Sequence, residues 1–515
     1  MKNNLQFIIY NLQLTYHKSI SVGNAFINSA NVGNAFIRSV YEYISTECIL
    51  SQRNLVAERI NAFSTKISER INAFPIKSVF LMILCLFMGA SLFGYSIYDL
   101  HYGTEIRHHD ARVSALGGSG VAGGFTLMDS NINPANLYFM EQSMGATMTY
   151  SLVKNSESRA LPMWNFFDSF IGHSTYARNE NFYGEVSLGA FSTFAINDTK
   201  LGLGFVMRPV ANFGANYQEE VRNDEDSNND NYPPIIAKNF IESDGMLYSY
   251  NLLLNLGIPV RDANVSVGAE ISYYNGDYRQ EERIIWTDAA HELSSVVLED
   301  YLEVNTDAWD GFGVKFGLAS QVTPRIRLGA TYSPKVTLDE VFIFTPASNI
   351  QVEARESGPY KKDYIIPSKF RVGFLFKPRN PFRTHFHADF ELVNYEDVDN
   401  FFENGYAFYV GMEHYIGHSI PFRLGFSHQT ARQDRSIALP AISLGTGFEI
   451  IKNLQLDLSA EYGLREYTDL DLFQDSFYDR PGLWRQIRPA DRGWDNPDKV
   501  TESFLKFFTS LSYKW

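Results

Sequence analysis

Cysteine is nearly missing from this 515-residue chain: Cys48 and Cys85 are the only two, and both precede residue 92. The body beyond them has no disulfide framework and no Cys-ligated metal. Long apolar runs are missing too. The one uncharged stretch of note, Val79 to Leu92, is shorter than the roughly 20 residues a spanning helix requires. Charged residues are scarce, at 20%, and net positive charge is absent, the formal total being −15. Residues 1–78 carry eight Lys/Arg against four Asp/Glu and 79–91 carry none, so 92–515 hold −19. So acidic a body offers no broad basic surface, which excludes a nucleic-acid partner. What the chain has is aromatics, 40 Phe, 30 Tyr and 6 Trp, too many for a disordered polymer. Its mean hydropathy of −0.19 resembles that of a soluble protein. A transmembrane β-barrel has the same average, because its strands alternate apolar and polar residues.

Residues 1–76 form an extension unlike the rest, with short echoes: Val-Gly-Asn-Ala-Phe-Ile at 22–27 and 32–37, and Glu-Arg-Ile-Asn-Ala-Phe at 58–63 and 69–74. Two copies at so short a period cannot stack into a core. Lys77 leads into an apolar run ending in small residues, the pattern of a signal peptide over 77–91 cleaved after Ser91. Its distance from Met1 fits an over-extended start, with translation beginning near residue 76. The alternative is a cytoplasmic extension before a short membrane anchor.

From residue 144 onward, apolar and polar residues alternate in segments separated by turns. In 454–462, Leu454, Leu456, Leu458, Ala460 and Tyr462 share one face and Gln455, Asp457, Ser459 and Glu461 the other. Strict period two means a strand with one apolar and one polar face. Fourteen such segments are expected: 144–153, 182–196, 200–217, 244–259, 264–284, 309–322, 325–341, 363–378, 383–396, 405–417, 420–430, 437–451, 454–467 and 501–515. Short and long connections alternate between them, as in a barrel with short turns on one side and long loops on the other.

A soluble β-sandwich also alternates. Two features favour a membrane barrel. The apolar faces end in aromatics (Tyr273, Tyr332, Tyr462, Trp515), as interfacial girdles do, and the polar faces carry Gly and mixed charge (Arg325, Arg327, Arg371, Arg423, Asp457, Glu461). Such a lumen leaks unless filled, and residues 92–143 are the available filler. Small inward positions (Gly204, Gly268, Gly313, Gly329, Gly425, Gly445) either leave room for it or merely allow strands to coil.

The third segment contains Pro209, which cannot donate a ladder hydrogen bond, and a closed barrel has no free edge to hide it. We expect a kink over Pro209, Phe213 and Gly214 that opens the wall. The other reading puts Pro209 at a rim above the paired zone. On the ninth segment His385, His387, Asp389 and Glu391 share a face. The first three are weak metal ligands, and lumen lining is the commoner use of such a row. His414 and His428 have no Ser placed beside them in the sequence, so no enzyme is expected. A long external loop over 154–181, with Trp164, Phe166, Phe167 and Phe170, is expected to form a greasy capture groove or a partner footprint.

Just before the first strand stand Ala115-Leu-Gly117-Gly118-Ser-Gly-Val-Ala122, Asp129 and Asn133-Pro134-Ala135, and the chain closes on Trp515. With the fourteen segments, these residues resemble the FadL/OmpP1/TodX family of outer-membrane transporters for hydrophobic compounds, over roughly residues 100–515. The resemblance implies an all-β, 14-stranded antiparallel transmembrane barrel over 144–515 in the outer membrane of a diderm bacterium. It implies an N-terminal luminal hatch over 92–143 built on Gly117, Gly118, Asp129, Asn133, Pro134 and Ala135, and a third strand kinked to form a lateral exit. It implies passive uptake of hydrophobic compounds such as long-chain fatty acids, no cofactor, and recognition of the C-terminal strand by the barrel-assembly machinery. Asn136 departs from the family form, where Gly is usual. Related fourteen-stranded proteins of the PorV type share the Asn-Pro-Ala block, so a partner platform or secretion cargo shuttle stays open as the alternative. If the apolar faces point outward, residues 92–515 will remain dispersed only in detergent. A monomeric, detergent-free solution of that body, seen by light scattering, would exclude the membrane reading.

Overall fold

The computed structural model describes residues 96–515 except 101, 166, 168, 224–233, 261–262, 341–362, 380–382, 417–419, 474 and 484–496. The extension and signal segment expected over 1–91 lie outside the described residues. Fourteen antiparallel strands follow one another around a closed sheet. They are β1 (Met144–Trp164), β2 (Phe170–Ile196), β3 (Thr199–Asn212, resuming as Ala215–Arg222), β4 (Ile235–Val260) and β5 (Ala263–Trp286). Next come β6 (Tyr301–Thr323), β7 (Ile326–Ser333 and Val336–Glu340), β8 (Tyr364–Ile366 and Ser368–Phe376), β9 (Thr384–Asn394) and β10 (Gly405–Ile416). The last four are β11 (Ile420–Gln429), β12 (Ala441–Ile451), β13 (Leu454–Asp469) and β14 (Asp498–Lys514). β14 pairs with β1 from Lys499–Ala160 to Lys514–Gly145, which closes the barrel.

Strand number and alternating connection lengths match the sequence reading; two details do not. The expected loop over 154–181 is a hairpin, its ladder running from Lys154–Phe182 to Trp164–Phe170 with bulges near Arg159 and Trp164. Strands of 21 and 27 residues far exceed the roughly 10 needed to cross a hydrocarbon layer. Beyond that thickness the outer face meets water, so the apolar half of the alternation disappears while the ladder continues. Arg325 sits exposed in the β6–β7 turn, outside the lumen.

The barrel is inverted relative to a soluble one. Large apolar side chains stand exposed on strand after strand, among them Leu203 and Phe205 (β3), Leu254 and Leu256 (β4), Phe312 and Phe316 (β6), Phe374 (β8), Leu424 (β11) and Ile442 (β12). Inside, Arg423, Glu413, Arg159, Glu157, Glu502, Asp389 and Asp457 are buried. An apolar belt on this scale far exceeds the few hundred Å² that a soluble monomer exposes.

The segment before β1 threads this interior. Helix α1 (Ala111–Ala115) starts on Asp110, whose carboxylate accepts from the amides of Arg112 and Val113, and helix α2 (Leu127–Ile132) starts on a Thr126–Asp129 capping box. A 3₁₀ turn (Pro134–Phe139) follows, capped by Asn133 with Pro134 at its first position, where a missing N–H costs nothing. Inward glycines make the space. A methyl on Gly268 would lie 2.4 Å from the Pro134 carbonyl carbon; on Gly329, 2.3 Å from the Val121 oxygen; on Gly425, 2.0 Å from the Gly117 nitrogen; on Gly445, 2.4 Å from the Ala115 methyl. Gly204 stands in ordinary contact with Leu127 and Leu137, while Gly313 faces Val336 and Tyr274 instead. Gly268→Val or Gly425→Val should therefore displace the segment and raise single-channel conductance in planar bilayers several-fold. Conductance equal to the parent's would show that the segment does not block the lumen.

Candidate functional site

Two constellations stand out: the anchors of the threaded segment, and a break in the wall beside it. Asp389 on β9 is the first anchor. Its Oδ2 accepts from the amides of Gly120 (2.7 Å) and Val121 (3.0 Å) and from the Arg371 guanidinium (2.8 Å), which also donates to the Gly118 carbonyl (2.6 Å). Arg327 donates to the Gly123 carbonyl. Asp129 gathers the amides of Gly124, Phe125 and Thr126 within the segment. The Asn133 side-chain amide donates to Val121 (2.7 Å) and to Leu318 of β6 (3.1 Å), and the Ala135 carbonyl accepts from Ser266 (2.9 Å) and Asn255 (3.2 Å). Asn136, in the position where glycine was the expected form, donates to Gly120 (2.8 Å) and Asp129 (3.1 Å), tying two turns together. Arg112 on α1 meets Glu413 (2.6 Å), and Arg423 bridges Glu413 (2.8 Å) and Asp457 (2.6 Å). Gly117 and Gly118 sit at φ +67° and +89° where α1 ends, a conformation that side chains resist.

The row His385, His387, Asp389 thus lines the interior. His385 Nδ1 lies 3.2 Å from Glu413, and Asp389 is spent on the segment and Arg371. Among the described residues no three His, Cys, Asp or Glu gather as a metal would need. Outside the strands, burial pushes His108 down to about 4, against the pull of Glu461 at 3.3 Å. Burial and the Arg208 guanidinium hold His109 far lower than usual, so its neutral Nε2 accepts from Arg208 at 3.0 Å. His414 bonds Thr384 (2.9 Å), and His428 stacks on Phe408.

The wall breaks at β3. Its ladder with β2 runs from Ile196–Thr199 up to Leu188–Met207 and stops, although β2 continues eighteen residues further, to Phe170. Above the stop, Asn181 donates to the Asn216 carbonyl (2.9 Å), and the Gln218 amide donates to Asn179 (3.1 Å). Between these two levels, residues 182–187 of β2 and 208–215 of β3 have no ladder pairing with each other among the described residues. Pro209 lies just past the stop, where its missing N–H costs least, and Val210 bulges from the pairing with β4. This is mid-strand, so the rim reading fails. Burial alternation also fails, since no residue from 206 to 217 is exposed: the chain has turned inward. The edge so freed is taken by a two-residue strand of the threaded segment, with Thr104 opposite Asn212, Glu105 opposite Ala211, and the Ile106 amide bonded to the Val210 carbonyl (2.9 Å).

Apolar side chains collect along the inner side of β3. Ala215 and Tyr217 join Ile236, Trp286 and Tyr478 near the long loops; Ala211 and Phe213 join Leu247, Tyr278, Trp309 and Leu338; Val206 joins Leu127, Phe191 and Leu253. Sequence reasoning missed these partners of β3, because one strand's pattern says nothing about its neighbours across the lumen. Of the expected capture residues, Phe167 and Phe170 stand exposed at the β1–β2 tip. Trp164 closes β1 opposite Phe170, and Phe166 lies outside the described residues.

Cutting the first anchor should loosen the segment. Asp389→Ala leaves the buried Arg371 guanidinium with only the more distant Glu391 carboxylate at 3.7 Å, at a cost of up to about 3 kcal/mol. We expect a lower urea midpoint in lipid vesicles, with Asp389→Asn intermediate. An unchanged midpoint for both would mean that the segment is held elsewhere.

No family model matches the chain, and no curated protein matches it. Solved structures do. A FadL homologue of Pseudomonas aeruginosa aligns over 80% of this chain and 99% of its own, at 12% identity and a TM-score of 0.52. The toluene transporter TodX of Pseudomonas putida aligns over 80% and 99% at 10% identity (TM-score 0.47), and the toluene transporter TbuX of Ralstonia pickettii over 81% and 100% at 14% (TM-score 0.44). The closed fourteen-stranded barrel of this chain is thus the fold of the Pseudomonas aeruginosa FadL homologue.

Proposed function

We propose that the chain is a passive outer-membrane transporter of the FadL type, taking hydrophobic compounds such as long-chain fatty acids through a plugged barrel and out through the side of its wall. One observation carries the reading: the β2–β3 ladder stops in mid-wall where the apolar track inside β3 arrives. An apolar molecule gains about 0.8 kcal/mol for each CH₂ kept from water, so a lateral exit into hydrocarbon beats continuing past the charged anchors. The threaded segment acts as the plug, denying ions the same route. Exposed Phe167 and Phe170 offer first contact outside, and β14 with its terminal Trp515 presents the signal read by the barrel-assembly machinery.

The double variant Pro209→Val, Gly214→Ala should let β3 rejoin β2. Uptake of a radiolabelled long-chain fatty acid into cells expressing the chain should then fall at least about tenfold, with barrel yield preserved. Equal uptake by parent and variant would remove the lateral route.

A further inference from the structure

On the outer face of the wall, within the apolar belt, lies a hollow of about 530 Å³, a size within the roughly 300–1,000 Å³ of small-molecule sites. Its sides are the outward side chains Phe194, Leu203, Leu254, Leu256, Val267 and Phe316, all apolar and all exposed. Ala269 is the small outward residue between Leu254 on β4 and Phe316 on β6, and its methyl leaves the floor low. The rest of the floor is backbone at Gly202, Asn255 and Gly268. The threaded segment backs these same residues from inside. Gly268 meets Pro134, Gly202 meets Leu137, and the Asn255 side-chain amide donates to the Ala135 carbonyl (3.2 Å). The floor is therefore supported within, one backbone thick, and bare on the membrane side.

We propose that this hollow holds one acyl chain of an anionic phospholipid, bound as part of the protein and separate from anything it transports. Asn255 is turned inward, so the membrane side of the lining is hydrocarbon and a headgroup has no partner there. The hollow runs from Phe194, three residues before Asn197, to Phe316, seven before Thr323. On strands tilted near 40° that is about 8–18 Å above the short turns, the depth of one leaflet's chains. The turns below are basic although the body carries −19. Arg325, Lys377, Arg379, Arg383 and Lys452 stand on the described short turns, against Asp198 alone. Arg325 is exposed in the turn that ends β6, and the outward Leu318 and Val322 join it to Phe316. A phosphate at Arg325 thus sets its chain in the hollow. Bilayer chains are as apolar as leucine, so the preference comes from dispersion contacts that an unfilled hollow forfeits, and from the charge of the phosphate. A second barrel would bring a convex wall, which does not reach such a floor.

The probe is dioleoyl phosphatidylglycerol, added to the detergent-solubilised full chain and followed by native mass spectrometry, with dioleoyl phosphatidylcholine as the neutral counterpart. The parent should keep one phosphatidylglycerol after mild activation. Ala269→Leu fills the floor and should lower the retained fraction about fivefold or more, because the chain loses its wall contacts. Ala388→Leu makes the same change on the outward face of β9, away from the hollow, and should leave retention as it was. Arg325→Gln should reduce the preference for phosphatidylglycerol over phosphatidylcholine about fivefold. Ala269→Val serves if Ala269→Leu fails to assemble, with a smaller loss. Equal retention by the parent and Ala269→Leu would overturn the proposal, as would equal losses in Ala269→Leu and Ala388→Leu, or a preference unmoved by Arg325→Gln. Palmitic acid retained in place of phosphatidylglycerol would make the hollow a landing place for cargo, and a dimer abolished by Ala269→Leu would make it a contact between copies; either result also overturns the proposal. Uptake plays no part in these measurements, so the transport reading fails or survives separately.

Discussion

A backbone N–H or C=O facing hydrocarbon has no water to fall back on, and each one left unpaired costs several kcal/mol. That constraint organises the molecule around β3. Among the described residues, the twelve strands other than β2 and β3 pair with both neighbours along the wall; the exception is the seam between β2 and β3. β3 leaves β2 after Met207, and its freed edge is taken up by Thr104–Glu105 and the Ile106 amide. The threaded segment therefore completes a stretch of the sheet as well as packing against the inner face of the wall. Pro209 and the Val210 bulge belong to the same solution, one removing a donor and the other spacing the strand from β4 where it turns inward.

A set of interior side chains holds that segment in place. Its backbone presents turn amides and carbonyls, and the barrel answers with side chains of the opposite kind: Asp389 for the amides of Gly120 and Val121, Arg371 and Arg327 for the carbonyls of Gly118 and Gly123. Buried charges add little net stability against apolar replacements of the same shape, but each becomes costly once its partner is gone. Such pairs fix position and do not simply stick surfaces together. The glycines work alongside them, because the segment's backbone lies where a methyl on Gly268, Gly329 or Gly425 would be, and the Ala115 methyl where one on Gly445 would be.

The sequence made the barrel legible because period two, counted through fourteen segments, is set by the wall itself: each outward residue meets an apolar surrounding and each inward one a polar interior. Where the surroundings change, the signal fades. Residues 154–163 and 170–181 continue the β1–β2 ladder, yet their outward face is no longer uniformly apolar, so they read as loop. The break at β3 was legible from one residue, since a proline inside a closed sheet demands an explanation. Its consequences were not. That Thr104–Glu105 takes the free edge, that Phe213 enters a box of Tyr278, Trp309 and Tyr364, and that Asn136 substitutes side-chain donors for the closeness a glycine allows are all contacts between residues far apart in the chain. Alternation along one strand carries no information about them. His385, His387 and Asp389 were legible as an inward row, but their partners Glu413, Gly120 and Val121 come from other elements.

The interior is also uneven around its circumference. Ion pairs concentrate on β8 to β14 and β1, where Arg371–Asp389, Arg423–Asp457, Arg465–Glu502 and Arg159–Glu157 line the wall. The inner faces of β2 to β7 supply most of the apolar clusters, and β3 contributes to all three major ones. A greasy solute pressed against the first half would strip water from fixed charges and recover nothing in exchange. Along the second half it exchanges water for carbon contacts. That carbon-lined half includes β3, the strand whose ladder with β2 stops at Met207. The charged half of the lumen thus lies opposite the break, and the carbon-lined half lies beside it.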